Sequence, residues 1–169
     1  MGSHACSAIS GSPRAAGVLR TCRGIVLIAT TALAVPAFAA SPDDKVIDQQ
    51  SISALEARIP QAEPREQCFL YAELIHDMTE FSMKQYAAGD VDKATDLLKQ
   101  IQNVTHKLHL AMANKDKRLK NAEILLRHTA FRLNEFLHNS SSDDRPVVAA
   151  TLAQVNRAEN ETMLEVFSK

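Results

Sequence analysis

The chain contains almost no glycine after residue 40, and this restricts the folds that it can adopt. Of its five glycines only Gly89 lies beyond that point, and the later prolines stand where helices would begin or end. Strands need tight turns, and tight turns usually need Gly, Asn-Gly or Asp-Gly. Without these turns, the sequence predicts an all-α protein.

The first forty residues have the pattern of an export signal. An apolar run follows Arg20 and Arg23 and ends in the small-residue sequence Pro36-Ala-Phe-Ala-Ala40. A basic start, an apolar run of roughly ten residues and a small-residue end are typical of a secretory signal peptide. Because about 20 apolar residues are needed to cross a bilayer, we expect residues 1–39 to be cleaved near Ala39. This predicts a periplasmic or secreted protein with no stable membrane insertion.

The rest of the chain, residues 40–169, is expected to form a single domain. Residues 1–39 contain three arginines and no acidic residue, which leaves 16 basic against 20 acidic residues after them. This mildly acidic part offers no long basic stripe, so nucleic acid is not an expected partner. Cys6 and Cys22 would leave with the signal, so Cys68 is the one remaining thiol. The sequence allows two states for Cys68, which are burial in a helix and an intermolecular disulfide.

Amphipathic periodicity predicts four long helices. Apolar residues recur at three- and four-residue steps in four stretches of the chain. The first two cover about 65–88 and 91–114, the third lies between the polar segments 114–120 and 139–146, and the fourth covers 147–167. Gly89 and Asp90 separate the first two, as a left-handed helix end and a helix cap. Helices joined by short connections lie antiparallel beside their sequence neighbours. We therefore expect an antiparallel up-down-up-down four-helix bundle.

An extra short N-terminal helix is predicted before the bundle. Ser41 and Pro42 form a strong helix start, so this helix should run from Pro42 to about Ile59. Pro60 and Pro64 then break the chain before the first long helix, and the role of this break is left open.

The junction at Gly89 resembles a known repeat. Tyr86-Ala-Ala-Gly-Asp-Val-Asp-Lys-Ala94, followed by Leu97 and Leu98, is similar to the helix-turn-helix junction of a tetratricopeptide repeat. Repeat arrays need about three copies to bury their faces, and we find this pattern once. We therefore interpret it as a hairpin of similar chemistry. The chain as a whole also resembles uncharacterised exported helical proteins of bacteria, which implies their compartment and fold class but no activity.

Two Glu-x-x-His motifs are the strongest candidates for chemistry, Glu73-Leu-Ile-His76 and Glu135-Phe-Leu-His138. Two such motifs form half of a ferritin-like di-metal site, which also needs an inward Glu from each of two other helices. Glu159 could supply one, but the second long helix contains no Glu. Helical geometry also turns Glu73 and His76 away from the apolar stripe, towards solvent. A metal- or haem-binding bundle that uses Glu73, His76, Glu135 and His138 is therefore the alternative function.

Two further polar groups are candidate sites. His106 and His109 share a helix face, where we expect a half-buried histidine with a polar partner rather than a metal ligand. The basic cluster Lys115–Lys120 lies at a helix start, where an anion could bind. We expect it to be a solvated connection, with Asn114 or Asp116 as the helix cap.

The preferred function is a non-enzymatic interaction or structural role in the cell envelope. The sequence has no Gly-rich phosphate loop, no His-Glu-x-x-His and no Gly-x-Ser-x-Gly. We therefore assign no catalytic residue, metal site or cofactor, and expect an unknown protein partner in the envelope, with a homodimer left open. Such a role requires apolar residues that stay exposed in the monomer, and Ile124 with Phe131 are the candidates.

Overall fold

The computed structural model describes residues 46–114 and 117–168, which belong to one compact unit, Ala40–Lys169. All regular structure in these ranges is helical, which confirms the all-α prediction. The predicted signal peptide, residues 1–39, lies outside the described residues. The five α-helices are α1 (Gln49–Arg58), α2 (Pro64–Ala87), α3 (Val91–Met112), α4 (Leu119–Asn139) and α5 (Arg145–Phe167).

Helix α1 is the predicted extra N-terminal helix, but it begins later than the sequence pattern indicated. Residues 46–48 are not helical. The Asp48 carboxylate accepts a hydrogen bond from the Ser51 N–H at 2.7 Å, and Ser51 Oγ accepts one from the Asp48 N–H at 3.0 Å. This capping box satisfies two backbone donors at once and therefore starts the helix at Gln49. The predicted start at Ser41 and Pro42 lies outside the described residues.

The connections on either side of α2 follow their local sequence. A single 3-10 turn, Ile59–Gln61, fills the predicted break before Pro64. After α2, Gly89 has φ +88°, the left-handed conformation that favours glycine. The Asp90 carboxylate then accepts a hydrogen bond from the Lys93 N–H at 3.3 Å, as expected of a helix cap.

The four long helices alternate in direction, which agrees with the predicted up-down-up-down order. The hairpins α2–α3 and α4–α5 pack side by side, so that α2 also contacts α4 and α3 also contacts α5. Each of these cross-hairpin pairs is parallel. His76 and Glu80 of α2 meet Thr129 and Arg132 of α4 in the same order along the chain.

One expectation about neighbours is wrong. Helices α3 and α4 are consecutive in sequence, yet they are not among the closely packed pairs and occupy diagonal positions. The short connection sets their relative direction. It does not decide their neighbours, because the apolar surface of α4 is buried against α2 and α5.

The predicted apolar stripes form the core. Cys68 is fully buried in α2, which agrees with the first of its two predicted states. The residues predicted to face inwards from α3 are all buried, namely Ala94, Leu97, Leu98, Ile101, Thr105, Leu108 and Met112. The largest fully buried side chains are Ile52, Ile59, Leu74, Ile75, Met78, Leu98, Ile101, Leu108, Leu126, Leu133, Val148 and Val155. None of the helices in residues 46–114 and 117–168 has the length and apolar character needed to cross a bilayer.

Candidate functional site

The outward side of α4 carries the apolar residues that the sequence predicted to be exposed. Ile124 is 51% exposed and Phe131 is 60% exposed. His128, also exposed, lies between them, four residues after the first and three before the second. Residues three and four apart are neighbours on one helix face. We call Ile124, His128 and Phe131 the α4 outer face.

A histidine from α2 borders this face. The rings of His76 and His128 have centroids 5.3 Å apart, and His76 Nδ1 lies 3.1 Å from Thr129 Oγ1. Thr129 Oγ1 donates its only proton to the Leu125 carbonyl at 2.8 Å. The hydroxyl must therefore accept from His76, which places a proton on His76 Nδ1.

An ion-pair cluster joins α2 and α4 one turn further along. Arg132 Nε lies 2.6 Å from Glu80 Oε1, and its Nη2 lies 3.0 Å from Glu80 Oε2, so the pair is bidentate. Arg132 also binds Glu135 on its own helix. The hydrogen bonds from Arg132 lower the pKa of Glu80, and burial only partly opposes this effect. The same contacts with Glu80 raise the pKa of Arg132, so both groups remain charged.

The prediction that Glu73 and His76 face solvent is wrong, because both side chains are half-buried. The prediction rested on one apolar stripe per helix. Helix α2 instead packs against α1, α3 and α4. Residues outside its main apolar stripe are therefore also partly buried.

The two Glu-x-x-His motifs do not come together. Thr129 is level with His76, and Glu135 and His138 lie six and nine residues further along α4, roughly 9 and 14 Å along the helix axis. Glu135 is bound to Arg132, and His138 Nδ1 donates to the Asn134 carbonyl at 2.7 Å.

The other candidate ligands do not complete a centre either. Glu159, the predicted further ligand, lies 3.6 Å from Arg127 Nε. Among the described residues, no group of three or more His, Cys, Asp or Glu is arranged to hold a metal ion. Met112 is buried, and its Sδ lies 3.3 Å from Thr162 Oγ1, which donates its proton to the Ala158 carbonyl.

A second feature is a polar groove of about 530 Å³ between α3 and α5. His109 Nδ1 and Glu161 Oε2 bridge the groove at 2.8 Å, and Gln102 Nε2 donates to Thr151 Oγ1 across it at 3.0 Å. The side chain of His109 is 54% exposed, so it is less buried than predicted, although its polar partner is present. Arg157 also lines this groove, and sequence reasoning missed it because no local signal places it opposite α3.

The basic cluster before α4 is tied to the start of α2. The Lys117 N–H donates to the Arg65 carbonyl at 3.0 Å, and Lys117 Nζ lies 3.1 Å from Glu63 Oε2. The Arg118 guanidinium lies 3.4 Å from the centre of the Phe69 ring. Arg118 also occupies the cap position of α4 and makes no side-chain cap hydrogen bond. Asn114 is therefore not the cap, and Asp116 lies outside the described residues.

The candidate surfaces are thus the α4 outer face, with the α2–α4 contacts beside it, and the groove between α3 and α5. The first presents apolar side chains to solvent, and the second presents polar and charged ones. No protein-family model matches the chain, and neither a curated protein nor a solved structure is significantly similar to it. The function of this chain is therefore inferred from the geometry of these surfaces.

Proposed function

We propose that this is a non-enzymatic helical-bundle protein of the cell envelope that assembles with a second copy of itself through the α4 outer face. The observation that supports it is the exposure of Ile124 and Phe131, 51% and 60%, beside a well-buried core. The envelope location rests on the signal-like pattern of residues 1–39. Two large apolar side chains on one outward helix face favour a protein contact.

The spacing of this face suits antiparallel pairing with an identical helix. A two-fold axis through the point midway between residues 127 and 128 places Ile124 of one copy opposite the partner subunit's Phe131, and the reverse contact follows by symmetry. Contacts of this kind occur in isologous dimers, where the same patch is used twice. Each apolar side chain in the pair is then covered by the other copy.

The charges that flank the face are complementary under the same symmetry. Lys120 lies opposite the partner subunit's Glu135, seven or eight residues from the axis on either side. Lys120 is exposed, and the side chain of Glu135 is 40% exposed even though it binds Arg132. Exposed ion pairs contribute about 0.2–1 kcal/mol each. Their expected role is therefore to select the antiparallel register, while the apolar contacts supply most of the affinity.

The size of the face predicts a weak, concentration-dependent dimer. A standard interface buries about 800 Å² on each partner, and one helix face with two large apolar side chains is expected to bury less. Sedimentation velocity over a wide range of protein concentrations should therefore show reversible exchange between monomer and dimer.

Variants test the surface directly. Phe131→Glu places a charge in the contact and should give a monomer at all concentrations, whereas Phe167→Glu at the end of α5 should leave the dimer intact. Phe167 is a matched control because it is 80% exposed on a different helix. Lys120→Glu should weaken the dimer, and adding Glu135→Lys should restore it. A wild-type protein that stays monomeric, or a dimer insensitive to Phe131→Glu, would overturn the proposal.

A further inference from the structure

The groove between α3 and α5 lies on a different surface from the α4 outer face. Its two bridging hydrogen bonds are widely separated along the helices, Gln102 to Thr151 near one end and His109 to Glu161 near the other. Between them, His106 of α3 and Arg157 of α5 line the same open space. Because α3 and α5 run parallel with these contacts in register, His106 and Arg157 lie at about the same level.

The middle of the groove is suited to an anion. Arg157 and His106 are both exposed and, among the described residues, neither takes part in an ion pair. The nearest acidic group of the lining, Glu161, is bound by His109. Arg157 therefore offers a guanidinium to a ligand, and guanidinium groups bind carboxylates through two parallel hydrogen bonds. Asn103 and Gln154 add amide donors beside it.

Two exposed leucines, one on each helix, follow just beyond the His109–Glu161 end of the groove. Leu110 is 62% exposed and Leu164 is 67% exposed. Leu110 follows His106 by four residues, and Leu164 follows Arg157 by seven, so each lies on the same helix face as its charged neighbour. An apolar group attached to a bound anion would thus reach two leucines that are otherwise in contact with water.

We propose that this groove binds an amphiphilic monoanion, an alkyl carboxylate whose carboxylate lies against Arg157 and His106 and whose chain lies between Leu110 and Leu164. The volume of about 530 Å³ falls within the range typical of small-molecule sites. A monoanion matches the one guanidinium among the described residues that line the groove, and the leucines distinguish such a ligand from an inorganic anion.

The test uses octanoate as the probe, with the purified full chain and two comparison compounds. Butyrate keeps the carboxylate and shortens the chain, and octan-1-ol keeps the chain and removes the charge. Titration followed by amide chemical shifts should show saturable octanoate binding, with shifts concentrated in residues 102–110 and 154–164. Butyrate and octan-1-ol should each bind about tenfold or more weakly, since one lacks the apolar contact and the other the charge.

Variants separate the groove from other surfaces. Arg157→Gln should weaken octanoate binding about tenfold or more, and Leu164→Ser should weaken it while leaving butyrate unaffected. Arg145→Gln, an exposed arginine at the start of α5, is the matched control and should bind octanoate like the wild type. Equal binding of butyrate and octanoate, binding unchanged by Arg157→Gln, or shifts centred on Ile124 and Phe131 would each overturn the assignment. The dimer experiments do not involve this groove, so the two proposals fail independently.

Discussion

Arg132 on α4 holds Glu80 on α2 through two hydrogen bonds, Nε to Oε1 at 2.6 Å and Nη2 to Oε2 at 3.0 Å. This is a direct ionic link between the two hairpins of the bundle. The side chains are 31% and 24% exposed, so the pair is partly shielded from solvent. It lies one turn beyond the hydrogen bond between His76 and Thr129, and the two contacts together set the register of α2 against α4.

The Glu80–Arg132 pair should make stability depend on pH in a defined window. Arg132 lowers the pKa of Glu80 below its ordinary value of 4.5, so the folded state favours the charged carboxylate. The stabilisation is therefore fully present above about pH 4.5 and is lost as the pH falls through the lowered pKa. Glu80→Gln should reduce the free energy of unfolding by about 1–2 kcal/mol at pH 7. The difference from wild type should shrink as the pH falls below 4.5.

Urea unfolding followed by circular dichroism at several pH values measures this effect. Asp96→Asn is the control, because Asp96 pairs with Lys99 on the surface and the two side chains are 67% and 63% exposed. Exposed pairs contribute little, so this variant should stay within about 0.5 kcal/mol of wild type. A Glu80→Gln difference that is constant from pH 7 to pH 3 would contradict the assigned linkage.

Two apolar residues of α4 should differ sharply in their effect on stability. Leu133 is fully buried, whereas Phe131, two residues earlier, is 60% exposed. Leu133→Ala leaves a cavity in the core and should cost about 2–5 kcal/mol. Phe131→Ala should cost less than about 0.5 kcal/mol. Denaturant unfolding of dilute protein, where the monomer dominates, tests this, and comparable losses for both variants would argue against the face assigned to Phe131.

The contribution of Gly89 to stability should come only from its backbone conformation in the α2–α3 turn. Its φ of +88° disfavours residues with a Cβ, although a Cβ added there would meet no atom within 4 Å. Gly89→Ala should therefore lower the free energy of unfolding by about 1 kcal/mol. Gly89→Asn should cost less, because Asn tolerates this conformation better than Ala. Thermal unfolding of the two variants gives the comparison, and equal stability of Gly89→Ala and wild type would contradict it.

Several helix ends were predictable from a local signal. Pro64 begins α2 and Gly89 ends it, and Asp90 caps α3, as the sequence indicated. The start of α1 was misplaced, because the reciprocal hydrogen bonds of Asp48 and Ser51 start the helix at Gln49, seven residues after the expected Pro42. The exposure of Ile124 and Phe131 was also predictable, since both lie off the main apolar stripe of α4.

Local sequence patterns therefore specify the all-α class, the number of long helices, most of their ends and the apolar stripes that form the core. These features depend on residues that are close in sequence, where helical periodicity and backbone preferences act directly. Tertiary packing sets which helices are neighbours. It alone brought Glu80 to Arg132 and His106 to the level of Arg157, and it separated the two Glu-x-x-His motifs. Such pairs lie about 50 residues apart, and no local rule selects which faces of packed helices meet.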